Sequence, residues 1–284
     1  MFNKTELHTR YETPYGAAYF NRVAQHSVVR LSGGFDSAVM LYLLAKIVSE
    51  YRDDAIIETF TVQRSNPTNI PEYERVYIVP YAERIIEYVR KKFPSVTIKD
   101  TLVEDANYWW VHEFVDGRNI SSYSNAQENV GGFLRWQHRD RITGVTDPEK
   151  RYYIEYNGVT LNPPHDCVEQ SDEAHRDLLD NRVLFKNSAT VCHDSMNDWL
   201  YQYMPWRNAD KRIVFWLAKE HGILNDMLKL TRSCEGDQWN TENFTKECGE
   251  CWWCLERNWA KTYYLPSDNS NWFKKNIWIK IDND

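Results

Sequence analysis

The sequence predicts an α/β protein built on a parallel sheet with helices on both faces. Three observations carry this reading. Strand-like and helix-like segments alternate from residue 27 to about residue 103, the pattern of parallel strands joined by right-handed crossovers. A glycine-rich turn, Leu31-Ser32-Gly33-Gly34-Phe35-Asp36-Ser37, stands between the first such strand and the first such helix. Four of the six cysteines fall at 234, 248, 251 and 254, the spacing of a metal site, which adds a small module near the C-terminus.

Taken in order, residues 1–26 read as an N-terminal extension that packs on the domain. Ser27 to Leu31 is a short apolar strand, and the helix from Asp36 to about Tyr51 is rich in Leu, Val and Ala. Residues 55–62 are rich in β-branched side chains and form the second strand. A loop with Pro and Asn covers 65–71. A helix over 73–92 follows, with Val76, Val79, Ala82, Ile85, Ile86 and Val89 on one face, and Pro94 stops it. The third strand is 96–103. Residues 105–123 read as an irregular aromatic loop, 124–142 as a helix, and 151–156 as a fourth strand ending in Asn157-Gly158-Val159-Thr160. Residues 172–182 and 193–203 are read as helical. Lys211 opens a helix that His221 ends, with Gly222 as its C′ residue; by itself, Lys211 reads as a first-turn residue on the solvated face. The division expected is an extension (1–26), a nucleotide-binding domain (27–230), a cysteine module (231–260) and a C-terminal extension (261–284). Ligands of open parallel sheets sit at the carboxyl ends of the strands, so 32–37, 61–65 and 157–161 should converge.

Composition narrows the function classes. A net charge of −7 argues against a broad phosphate-binding face and so against direct nucleic-acid binding. No apolar run approaches the length of a membrane span, and the first residues lack the apolar core of a signal peptide, so a cytoplasmic chain with reduced or metal-bound cysteines is expected. The chain carries 12 Trp and 18 Tyr, many of them between 105 and 160 or after 199; most read as packing residues, and some would suit stacking on a flat ring.

The turn at 31–37 has the makings of an anion cradle. Two glycines let successive N–H groups point into one concavity, and a helix N-terminus behind them adds partial positive charge. Ser32 and Ser37 supply hydroxyls, and Asp36 either caps the helix or holds a Mg²⁺ bridging to phosphate. No Gly-Lys-Ser/Thr follows, so the loop is not of the Walker A kind, and the third glycine of a dinucleotide fingerprint is absent. The cysteines offer four soft ligands, Cys234, Cys248, Cys251 and Cys254, suited to a closed tetrahedral Zn²⁺ site; an iron–sulfur cluster and redox thiols are the alternatives.

Ser32-Gly33-Gly34-Phe35-Asp36-Ser37 resembles the PP-loop of the ATP pyrophosphatase superfamily, whose members cleave ATP between the α and β phosphates and pass AMP to a substrate. That resemblance implies a Rossmann-like fold of the adenine nucleotide alpha hydrolase type. Together with the cysteines it is similar to the QueC (7-cyano-7-deazaguanine synthase) family. The supporting runs are Thr61-Val62-Gln63, Gly117-Arg118-Asn119, the helix opened by Lys211, Leu230-Thr231-Arg232-Ser233-Cys234-Glu235-Gly236, and Cys248-Gly249-Glu250-Cys251-Trp252-Trp253-Cys254 followed by Glu256-Arg257. In the family's runs a Gly precedes the Gln, a Pro stands at Asp116, and a Trp stands at Arg232.

The resemblance implies an ATP-dependent C–N ligase. It would adenylate 7-carboxy-7-deazaguanine with release of pyrophosphate, convert the acyl-adenylate with ammonia to the amide, and dehydrate the amide to the nitrile in a second ATP-dependent round. It implies ATP contacts from Leu31, Ser32, Gly33, Gly34, Phe35, Asp36, Ser37 and Gln63, catalytic roles for Asp36, Ser37 and Lys211, and substrate contacts from Arg118 and Asn119. It further implies structural Zn²⁺ on the four cysteines, Mg²⁺ with ATP, and a homodimer. The alternatives are another PP-loop enzyme that amidates or thiolates a different carboxylate, base or protein, or a non-catalytic nucleotide-binding relative. Thiolation would call on Cys167 or Cys192, the cysteines outside the cluster.

Overall fold

In chain order the elements are strands β1 (His8–Thr13), β2 (Gly16–Asn21) and β3 (His26–Arg30); helix α1 (Phe35–Tyr51); β4 (Ile56–Gln63); α2 (Ile78–Lys92); β5 (Thr97–Asp105), β6 (Phe114–Val115), β7 (Arg118–Asn119), β8 (Tyr153–Tyr156), β9 (Val191–His193) and β10 (Tyr201–Tyr203); then α3 (Arg212–Glu220), α4 (Leu224–Leu230) and α5 (Trp252–Tyr263). The computed structural model describes residues 8–63, 77–105, 114–115, 118–119, 130–131, 133–134, 137, 153–161, 163, 191–193, 201–207, 209–236 and 239–265.

Six strands form the central sheet in the order β5-β4-β3-β8-β10-β9. All neighbours are parallel except the edge strand β9, which is antiparallel to β10. The chain steps outward from β3 to β4 to β5 and then returns to the other side of β3 for β8. The order therefore reverses between β3 and β8, and the ends of these two strands flank the crevice where ligands of open α/β sheets sit.

Alternation along the strands sends side chains to two cores. Val29, Leu31, Ile57, Ile154 and Tyr156 face the main core, which α1, α2 and α3 fill. Val28, Phe60, Val62 and Tyr153 face the other side and meet Val130 and Leu134. The helical residues at 130–131 and 133–134 thus cover the second face, as expected of a sheet buried on both sides. Helix α1 is buried almost all round, which is why its sequence is apolar on every face. Helix α2 buries only Ile78, Ala82, Ile85, Ile86 and Val89. Helix α3 ends as expected. Gly222 adopts φ +68°, and the Ile223 N–H bonds the Ala218 carbonyl, the pattern that satisfies the last carbonyls of a helix.

Three expectations change. The segment read as a helix over 193–203 begins and ends in strand, because Tyr201–Tyr203 pairs with β8 on one side and β9 on the other. Tyr203 supplies the anchor: it is fully buried beside Tyr156 and meets the His8 ring. Inside the stretch read as an irregular loop over 105–123, Phe114–Val115 and Arg118–Asn119 pair as a small antiparallel sheet. The first 26 residues hold a hairpin, β1–β2, whose Phe20 packs on Tyr156 and Trp206. Helices α4 and α5 were not read from the sequence at all. The helices expected over 124–142 (apart from the few residues above) and 172–182, and the first turn of 73–92, lie outside the described residues. Among the described residues no helix is long and apolar enough to cross a membrane.

The second face carries buried charge. Arg30 and Glu155 pair at 2.5 Å. Glu58 meets His26 Nε2 at 2.8 Å and also Lys99. Burial raises the Glu58 carboxyl, but its hydrogen bonds to His26 and Lys99 outweigh this and lower it from 4.5 to about 2. A carboxyl depressed by folding stabilises above its unfolded value and loses that contribution as pH falls through the folded one. Between pH 4.5 and about 2, wild-type stability should therefore fall on Glu58's account. In urea unfolding at pH 6 and pH 3, wild type is expected to lose on the order of 2 kcal/mol more than Glu58→Gln.

Candidate active site and metal centre

β3 ends against its neighbour, the Leu31 N–H donating to the Phe60 carbonyl at 2.8 Å, and the chain then turns into α1. Gly33 sits at φ +72°, in the left-handed region. A Cβ there would lie 3.0 Å from the Ile78 carbonyl oxygen and 3.1 Å from Tyr81 Cβ, because the first turn of α2 lies directly over it. Gly34 is the N-cap of α1, extended at φ −84° and ψ 167°, with no side chain capping the helix. Asp36 thus stands in the first helical turn and does not cap.

The loop hydroxyls hold one another loosely. Ser32 N–H donates to Ser37 Oγ at 3.3 Å, the two Oγ atoms lie 3.2 Å apart, and Gly34 N–H reaches Ser32 Oγ at 3.4 Å. These distances are long for hydroxyl bonds, so a better acceptor would displace them at little cost. Leu31 and Phe35 are core residues. Phe35 is fully buried and stacks on Phe215 at 4.4 Å, which leaves only its backbone to the cradle.

Lys211 is not on a solvated face. It is 2% exposed, with Nζ 3.0 Å from Asp36 Oδ2 and 2.7 Å from Glu256 Oε2. The start of α3 is turned inward because the chain before it runs beside the segment after β8: Asn157 N–H bonds the Tyr203 carbonyl, Leu161 N–H bonds the Ala209 carbonyl, and Leu161 bridges Asp210. A buried ammonium is costly without partners. Here it has two carboxylates, one from the loop helix and one from α5.

The expected convergence at the sheet edge is present in the described part. A Cβ on Gly158 would lie 3.4 Å from the Ser37 amide nitrogen, so the end of β8 lies against the start of α1. Thr61 Oγ1 donates to the Leu31 carbonyl at 2.8 Å, and Gln63 closes β4 at the same edge. Residues 64 and 65 lie outside the described residues. Arg118 and Asn119 are not in this sheet but in β7, paired with β6, and their side chains lie outside the described residues.

The four cysteines meet. Their sulfurs all lie within 4.8 Å of one another, with Cys234 and Cys254 buried, and none is in a disulfide. Backbone amides point at them: Gly236 and Cys248 donate to Cys234 Sγ at 3.3 and 3.2 Å, Cys251 to Cys248 Sγ at 3.3 Å, and Glu235 to Cys251 Sγ at 3.5 Å. Such amides stabilise thiolates. Hydrogen bonds from the Cys251 and Cys254 thiols, with the Cys248 and Gly236 amides, hold Cys234 far below the usual thiol range. The same contacts with Cys234 push Cys251 up to about 12 and push Cys254 up as well. Sulfurs this close cannot all ionise on their own, whereas a cation among them removes the repulsion. The donor set therefore fits a metal ion.

The cysteine segment is built onto the loop. Arg232 N–H donates to the Gly33 carbonyl at 3.0 Å, and Phe35 N–H reaches Ser233 Oγ at 3.3 Å. The Arg232 guanidinium lies over the Tyr77 ring at 4.6 Å and donates to the Phe244 and Lys246 carbonyls, tying down the turn before Cys248. Tyr77 in turn donates to the Cys234 carbonyl. By sequence alone Ser233 and Glu256 have no role at the loop, whereas the expected convergence of 157–161 on 32–37 includes Gly158. The only signal for Glu256 was a carboxylate two residues past a ligand, and nothing in the spacing tied it to Lys211.

Gly33 and Gly222, both left-handed, give a direct contrast. Around Gly222 no heavy atom lies within 4 Å of an added Cβ, so Gly222→Ala costs only its backbone strain, about 1–2 kcal/mol. Gly33→Ala adds the collision with α2 and should cost clearly more, on the order of 3 kcal/mol. Urea unfolding of the two variants side by side checks the order.

No protein-family model and no curated protein matches the chain. Among solved structures, 18 chains are similar. One is the U34-tRNA thiolase NcsA from Methanococcus maripaludis with its 4Fe-4S cluster, 15% identical, with a TM-score of 0.35. The similarity covers 84% of this chain and spans 65% of that one.

Proposed function

We propose that this chain is an ATP-dependent enzyme of the PP-loop type, binding ATP at the β3–α1 turn and releasing pyrophosphate as AMP passes to a substrate. One observation carries the reading. A Ser-Gly-Gly-Phe-Asp-Ser turn stands at the sheet's reversal point, with Gly33 left-handed, α1 opening behind it, and Asp36 3.0 Å from the buried Lys211 ammonium.

The loop amides and the start of α1 would hold the phosphates, since they combine N–H donors with the positive end of the helix dipole. Ser32 and Ser37, loosely bonded to each other, would turn their hydroxyls toward the leaving pyrophosphate. Lys211 would place positive charge beside it, fixed by Glu256 from behind. Mg²⁺ arriving with ATP would offset phosphate charge, and Asp36, 20% exposed on its side chain, is the residue to meet it.

The cysteine cluster favours one Zn²⁺. A tetrahedral Zn²⁺ with Zn–S of about 2.3 Å sets its sulfurs about 3.8 Å apart. Here Cys248 Sγ lies 3.5 Å from Cys234 Sγ and 4.0 Å from Cys254 Sγ. A four-iron cluster gives each thiolate its own iron and so spreads the sulfurs wider.

The finer reading is a ligase of QueC type acting on 7-carboxy-7-deazaguanine with ammonia. It rests on the resemblance of the loop, the Lys211 helix and the cysteine run, together with their meeting at one place. The domain division at 27–230 and 231–260 is part of the same proposal.

Two measurements test this. Elemental analysis of the purified chain should find about one zinc per chain. Iron with sulfide in its place would reverse the metal assignment. The chain incubated with MgATP, ammonium and 7-carboxy-7-deazaguanine should yield AMP, pyrophosphate and the nitrile by mass spectrometry. Lys211→Ala should slow AMP formation by about 10²-fold or more. ADP as product would overturn the PP-loop reading. Loss of activity in Cys167→Ser or Cys192→Ser would move the assignment to thiolation.

A further inference from the structure

The cysteine centre grips the loop from both sides. On the N-terminal side, Arg232 and Ser233 immediately precede Cys234. They bind the loop backbone at Gly33 and Phe35, and a Cβ on Gly34 would lie 3.6 Å from Ser233 Oγ. On the C-terminal side, α5 starts at its cap Cys251 and runs through Cys254 to Glu256, which is fully buried and holds Lys211 at 2.7 Å. Lys211 holds Asp36 at 3.0 Å. The two arms therefore end on consecutive residues of one turn, Gly33 to Asp36. Both arms converge on four sulfurs lying within 4.8 Å of one another.

We propose that Ser233 and Glu256 are positioning residues that couple occupancy of the cysteine centre to ATP binding at the loop. Resting on the function proposed above, this adds a role for the metal beyond folding the module. A metal on the cysteines fixes Ser233 against the Phe35 amide and Glu256 behind Lys211. ATP then binds a loop that is already ordered. By reciprocity, ATP must tighten the metal by the same factor that the metal tightens ATP.

The test uses the full chain loaded with Zn²⁺. MgATP affinity is measured by calorimetry, and zinc affinity is measured as equilibrium transfer to a competing chromogenic chelator with and without MgATP. Wild type, Ser233→Ala, Glu256→Gln and Lys261→Ala are compared, the last as an exposed control on α5. In wild type and the control, saturating MgATP should tighten zinc about fivefold or more, the usual range of such coupling. In Ser233→Ala and Glu256→Gln the tightening should shrink toward none, and MgATP should bind several-fold more weakly. Circular dichroism and zinc content establish folding. If Glu256→Gln does not fold, Ser233→Ala carries the test, since its bond to Phe35 is long and its loss is mild.

MgATP that binds wild type yet leaves zinc transfer unchanged would overturn the coupling while the ATP reading stands. Full coupling in both folded variants would remove these two residues from it. A folded, zinc-loaded wild type that does not bind MgATP would overturn the function itself, and this inference with it.

Discussion

The buried Lys211 ammonium is the interaction on which the rest of the site depends. It sits at 2% exposure between Asp36 and Glu256, so three separate elements must meet at one point to keep its charge satisfied. The loop helix supplies Asp36, the start of α3 supplies the cation, and α5 supplies Glu256. An ammonium out of water penalises any arrangement that leaves a partner behind. The ion triad thereby fixes how the glycine-rich turn, the C-terminal helices and the cysteine cluster are placed against one another.

Around this point the sheet provides rigid scaffolding. The strand order reverses between β3 and β8, so the turns after these two strands face one crevice. Gly33 and Gly158 keep that crevice narrow, one under α2 and the other against the first turn of α1. The polar pairs on the far face, Arg30 with Glu155 and Glu58 with His26, span three strands, β3, β4 and β8, and hold their register from below. A slip would leave these buried charges without their partners, which is costly.

Much of the fold was legible because its elements obey local rules. The strand at 27–31, the helix from 36 to 51, the strand at 55–62 and the helix closed by Gly222 all appear within one or two residues of their expected bounds. Each has a clear period or a clear stop. Where the local signal was mixed, the reading failed. Tyr201–Tyr203 looked helical in its surroundings and is a strand, because pairing with β8 and burial of Tyr203 decide its conformation. Helix α4 is only seven residues long, and α5 opens inside the cysteine run, where the ligand spacing masked its apolar face.

Read along the chain, the residues specify a glycine-rich turn between a strand and a helix, and four thiols in metal-binding spacing. These follow from residue type and short-range spacing, which is all that local steric and ligand geometry require. Packing sets the rest: Lys211 faces inward, Glu256 stands behind it, and Ser233 reaches the loop amide. Those contacts join residues far apart in the chain, and their partners are selected by the desolvation of buried charge. That selection has no period and no motif, and it exists only once the elements are packed.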